Sequence, residues 1–180
     1  MLCAASGLRY FGVEIRAEEV EFCNSRFEAL GLAPAAHVEV GDAREIDRVA
    51  PGVGDFLLTC PPYYDLERYN GGPDDLSGLA SYEEFCQAMK EVASASYAAL
   101  RPEALSVWVV GLHRDREGRL LPLHHDVAAA HTRAGFVLRE EIIVYRRRSG
   151  AGARTRNFFS GRGFLARTHE YVLVFERGQG

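Results

Sequence analysis

The sequence predicts an α/β domain built on a mostly parallel sheet, and three observations carry that prediction. Short apolar runs alternate with longer amphipathic stretches along most of the chain. The last two apolar runs have no helical stretch between them, so an antiparallel pair should finish the sheet. A length of 180 residues, 47% hydrophobic and 26% charged, is enough for one core without disulfide or metal staples.

The elements follow in order. Tyr10 to Ile15 reads as a short strand, and Ala17 to Leu30 as a helix presenting Val20, Cys23, Asn24 and Phe27 on one face, stopped by Gly31. His37 to Val40 is a second strand, closed by Gly41 and Asp42. Asp55 to Thr59 is a third, so continuously apolar that burial on both faces is expected. After an irregular stretch from Pro61 to Leu79, Ser81 with Glu84 three residues on has the spacing of a capping box, opening a helix to about Leu100. Leu105 to Val110 is a strand, and Pro122 to Ala134 a helix stopped by Gly135. Phe136 to Tyr145 and Glu170 to Phe175 complete the sheet. Between them lies a Gly- and Arg-rich loop over 146–169, within a single domain spanning 1–180.

A doubly wound fold ordinarily opens with a strand, a Gly-rich turn and a helix. Only Met1 to Arg9 precede the first strand, too few for a strand and helix, so either the fold begins unusually or its first unit is absent.

The residues that carry chemistry stand directly after the third strand, in Cys60-Pro61-Pro62-Tyr63-Tyr64-Asp65-Leu66-Glu67. In open α/β sheets ligands bind beyond the carboxyl ends of strands, so this turn lies where a site belongs. Successive prolines hold the chain extended and offer carbonyl oxygens without competing N–H groups. Such acceptors, followed by an aromatic ring, suit a planar group bearing an exocyclic amine. The carbonyls can take both amine hydrogens while Tyr63 stacks on the ring. Pro61-Pro62-Tyr63-Tyr64 also fits a polyproline ligand motif, but its fusion to the apolar DFLLT strand disfavours an exposed peptide.

These residues resemble the amino-methyltransferases of DNA that use S-adenosylmethionine, particularly phage and bacterial members whose motif reads Pro-Pro-Tyr-Tyr-Asp-Leu-Glu. The resemblance extends through Glu14 at its strand end, Gly41-Asp42, Asp74-Asp75-Leu76-Ser77, Val109-Val110-Gly111 with Arg114-Asp115, and His169-Glu170-Tyr171-Val172-Leu173-Val174-Phe175. It implies a Rossmann-like methyltransferase sheet and methyl transfer to cytosine N4 or adenine N6, the target base being flipped out of double-stranded DNA. It further implies that Glu14 accepts from the cofactor ribose, that Asp42 accepts from its adenine amine, and that Cys60, Pro61, Pro62 and Tyr63 hold the target base, Cys60 also adjoining the cofactor. Cys60 stands where the family has Asp, Asn or Ser; a thiol is a weak acceptor, so the backbone carbonyls would do more of the holding. The family's Gly-rich cofactor motif has no counterpart, which implies either a chain truncated at its N-terminus or one completed by a partner chain or an upstream segment. The alternatives are an inactive remnant that binds DNA, and a methyltransferase for RNA or small-molecule amines.

Charge is unevenly spread. The net charge of −4 divides into nine Arg against four Glu from Arg139 onward and twelve basic against twenty-one acidic groups before it. Arg146, Arg147, Arg148, Arg154, Arg156, Arg162 and Arg167, interleaved with Asn157-Phe158-Phe159, are therefore candidates for phosphate contact. No apolar run reaches the roughly 18 residues of a membrane span, and the four cysteines show no paired spacing. A reduced, cytoplasmic protein is expected. His124 and His125 are adjacent and point apart on a helix, so no metal site is expected there.

Overall fold

The computed structural model describes residues 6–33, 35–145 and 168–179. They form eight strands and four α-helices, in the order β1 (Tyr10–Glu14), α1 (Ala17–Ala29), β2 (Ala36–Val40), α2 (Ile46–Val49), β3 (Gly54–Thr59), α3 (Tyr82–Ala99), β4 (Leu100–Val110), β5 (His113–Arg114), β6 (Leu120–Leu121), α4 (Leu123–Ala134), β7 (Phe136–Tyr145) and β8 (His169–Arg177).

The strands fall into three sheets. β1 and β2 pair in parallel; β3, β4, β8 and β7 form a four-stranded sheet in that order; β5 and β6 make a small hairpin. Within the larger sheet β3 and β4 are parallel, while β8 runs antiparallel to both β4 and β7. Among the described residues the parallel strands thus form two separate pairs, each with an unpaired edge.

Local sequence explains the helices. In α1, Val20 and Phe27 bury against Ala36 and Val38 of β2. Asn24, on the same face, is satisfied by the strand itself: its amide donates to the Val38 carbonyl at 2.8 Å and its oxygen accepts from Val38 N–H at 3.0 Å. The Ser81 hydroxyl accepts from Glu84 N–H at 3.1 Å, and the Glu84 carboxylate reaches back to Ala80 N–H at 3.2 Å, which closes the N-terminus of α3. Gly135 ends α4 at φ 107°, a left-handed conformation that suits glycine.

The main core lies on one face of the four-stranded sheet. Phe85, Met89 and Val92 of α3 and Leu123 and Val127 of α4 close over Trp108, Val110, Leu173 and Phe175. Among the described residues no helix packs on the opposite face. This corrects the expectation that Asp55 to Thr59 is buried on both sides: Phe56 and Leu58 are 55% and 64% exposed. Among the described residues β3 is an edge strand whose outer face is uncovered, which leaves its apolar run exposed on that side. Three further differences stand out. β4 begins at Leu100 directly after α3, a 3-10 turn and α2 fill Ala43–Val49, and the β5–β6 hairpin follows β4. Polar and mixed stretches of this kind lack the periodicity that marks elements in a sequence.

Candidate functional site

The carboxyl ends of β1, β2 and β3 converge on a cleft of about 370 Å³. Glu14 and Ile15 enter it from the end of β1, Gly41 and Asp42 from the end of β2, and Cys60, Pro61 and Pro62 from the end of β3. Trp108, Met89 and Val92, all buried core residues, form its floor. A second, wider concavity of about 400 Å³ lies along the outer side of α3, lined by Arg44, Lys90 and Glu91 but by none of the motif residues.

Both carboxylates at the strand ends are oriented by a neighbouring arginine. Glu14 Oε1 accepts from Arg16 N–H at 3.1 Å and from Arg16 Nε at 3.3 Å. Asp42 caps the 3-10 turn through Arg44 N–H, 2.8 Å from Oδ1, while Arg44 Nε donates to Oδ2 at 2.8 Å. Arg44 also reaches Asp74 Oδ1 at 3.3 Å, and its hydrogen bond to Asp42 raises its pKa. Asp75 is 5% exposed. Burial opposes its ionisation, but hydrogen bonds from Gly71 N–H, the Ser77 hydroxyl and Ser77 N–H outweigh that and hold the carboxyl below its ordinary value. Tyr69, another cleft residue, has its phenol pushed up to about 12, chiefly by its hydrogen bond to Glu67, and the Arg16 guanidinium lies 5.4 Å from its ring centre.

The structure therefore gathers Glu14, Asp42, Cys60, Pro61 and Pro62 around one cleft. Tyr63 does not line it; its hydroxyl stands 3.1 Å from Cys60 Sγ and 3.4 Å from Glu170 Oε1, and its ring lies against Gly111. Arg146, Arg147, Arg148, Arg154, Arg156, Arg162 and Arg167 lie outside the described residues. His124 lies in the first turn of α4 and is buried, stacked on Tyr171 with ring centres 4.1 Å apart. Sequence reasoning missed the arginines that orient the carboxylates. Their positions two residues after Glu14 and Asp42 were the available signal.

No protein-family model matches the chain, and no curated protein matches it. Solved structures do. A protein of Thermus thermophilus described as a candidate DNA modification methylase superposes with a TM-score of 0.56 at 26% identity over 78% of this chain and 53% of its own. A structure of the same protein complexed with S-adenosyl-L-methionine gives 0.56 at 23% identity, over 96% of this chain and 57% of that one. An S-adenosylmethionine-dependent methyltransferase from Methanosarcina mazei gives 0.63 at 12% identity, covering 98% and 85%. The chain has the Rossmann-like fold of these methyltransferases. It spans about half the length of the Thermus protein.

Proposed function

We propose that this chain carries the cofactor and target sites of a methyltransferase that moves a methyl group from S-adenosylmethionine to an exocyclic amine of a DNA base, cytosine N4 or adenine N6. The observation that carries the reading is the convergence of Glu14, Asp42 and the Pro61-Pro62 turn on one cleft. Its volume lies within the range of small-molecule sites, roughly 300–1,000 Å³. The set of acceptors also fits the cofactor. Glu14 keeps Oε2 free of hydrogen bonds among the described residues, which suits ribose hydroxyls. Asp42 Oδ1 holds one hydrogen bond and retains a lone pair for the adenine amine.

When bound, S-adenosylmethionine supplies an electrophilic methyl on a sulfonium centre. The residues of the chain do the rest by placement. Backbone carbonyls of the Cys60-Pro61-Pro62 turn accept the amine hydrogens, which turns the nitrogen lone pair out of ring conjugation and toward the methyl. The turn would thus hold the amine nitrogen in line with the methyl that the cofactor supplies, and the amine's surplus proton would leave to water. Alignment provides most of the acceleration, since well-oriented reactants gain up to about 7–11 kcal/mol. Cys60 forms no covalent bond in this scheme.

The remaining wall of the cofactor site comes, in this proposal, from a strand and Gly-rich turn on a partner chain or an upstream segment. Support comes from the edges of β1 and β3, which are unpaired among the described residues and whose carboxyl ends both border the cleft. A parallel strand between them would join the two pairs into one sheet. The Arg-rich segment over 146–169 is assigned to DNA phosphates, on its charge alone.

Transfer of labelled methyl to duplex DNA tests the reading. Activity is expected once the strand-turn unit is supplied, with loss in Pro62→Ala and Tyr63→Ala. Binding of DNA without transfer would favour the inactive remnant, and transfer to RNA or a free amine but not to DNA would overturn the substrate class. The chain alone should bind S-adenosylmethionine weakly by calorimetry; ordinary tight binding would refute the need for a further unit.

A further inference from the structure

Two residues leaving β4 grip the turn that follows β3, and we propose that His113, through Asp65, is a positioning residue for the Pro-Pro-Tyr turn, with Gly111 as the seat for Tyr63. The role in catalysis rests on the methyltransferase reading; the clasp itself does not.

The turn needs holding. Tyr64 has φ 60°, a left-handed conformation that is unfavourable for a non-glycine residue and persists only when its surroundings impose it. Leu66 N–H closes the turn on the Tyr63 carbonyl at 3.4 Å, a long and weak bond. The Tyr64 ring is anchored edge-on against Tyr82 and Phe85, at 5.6 and 5.8 Å between centres.

The residues on either side of Tyr64 are held by one short stretch of chain. On the near side, the Tyr63 ring occupies the space where a side chain at 111 would stand: a Cβ there would fall 2.1 Å from Tyr63 Cε2. On the far side, Asp65 Oδ1 lies 2.7 Å from His113 Nε2, with the two side chains only 15% and 10% exposed. Arg116 Nε approaches the other carboxylate oxygen at 3.7 Å. Gly111 and His113 are thus two points of a clasp across the strained residue. His113 and Asp65 are not among the residues lining the cleft, so they act on it only through the turn.

Amide hydrogen exchange at Leu66, read against the Val92 amide in α3, tests the clasp in the full chain and needs neither cofactor nor DNA. His113→Leu should speed Leu66 exchange relative to Val92 at least tenfold. His113→Gln, which keeps a donor for Asp65, should stay within about twofold of the unmodified chain. Asp65→Ala, at the more exposed end of the pair, should match His113→Leu and serves if the latter fails to fold. An unchanged ratio in both disrupting variants overturns the proposal. So does an equal rise in His113→Gln, which would assign the effect to ring packing. Absence of methyl transfer would refute the function while leaving this result standing.

Discussion

Acidification should destabilise the chain through one core histidine. His131 is 0% exposed, stacked on Phe175 at 4.2 Å between ring centres and edge-on to Trp108 at 4.5 Å. Its Nδ1–H donates to the Val127 carbonyl at 2.8 Å, and Nε2 is buried without a partner among the described residues. Burial drives its pKa down from 6.5 to about 4, against a small opposing pull from the Val127 carbonyl. The folded protein therefore keeps the ring neutral where the unfolded chain would protonate it. Its stability is complete above pH 6.5 and is lost as the pH falls toward 4, below which both states carry the proton. From 6.5 to about 4, at about 1.4 kcal/mol per pH unit, the loss comes to about 3 kcal/mol, with about 2 kcal/mol of it by pH 5. Urea unfolding at pH 7 and pH 5 measures it, with His131→Leu as reference. The variant's own cost cancels, because only the change with pH is compared. The unmodified chain should lose about 2 kcal/mol more than the variant between the two pH values. Equal losses would refute a neutral buried ring.

Three further outcomes follow from the packing. Asn24→Leu should cost about 1–3 kcal/mol in urea unfolding, because it strips the Val38 N–H and carbonyl of their partner. Gly111→Ala should cost about 1–3 kcal/mol by overpacking against Tyr63, and in a Tyr63→Ala background most of that cost should vanish; a cost that persists would place the constraint in the backbone. Asp75 has a depressed pKa, so the stability it contributes is present above about 3.8 and is lost as the pH falls below that. Asp75→Asn should therefore be less stable at pH 7, with the gap narrowing at pH 3, again by urea unfolding.

What was legible in the sequence was whatever periodicity or a local signature encodes. The α1 face, the Ser81 cap, the Gly135 stop and the strand β8 all came from residue spacing, and so did the placing of Glu14, Asp42 and Cys60 at strand ends. What failed depended on neighbours distant in sequence. The DFLLT run reads as a central strand because composition reports apolarity, whereas burial depends on which strands and helices lie alongside. Arg44 joins Asp42 to Asp74 across thirty positions, and His113 meets Asp65 across forty-eight. No local pattern carries pairings of that range. Tyr63 rests on Gly111 at the same range, a contact that its motif does not encode.

The uncovered side of the larger sheet also has a practical consequence for how the protein behaves as a solute. Phe56, Leu58, Val137, Ile142 and Val144 share that side and are between 41% and 64% exposed. Environment-sensitive dyes that fluoresce on apolar surfaces should light up on the native chain, so a dye-reported thermal melt will begin from a high baseline and understate the transition. Sulfate and other excluded salts will drive the same surface out of water and salt the chain out early. Near-ultraviolet circular dichroism of Trp108, which is 1% exposed beneath the opposite side, is free of that artefact and reports the core alone.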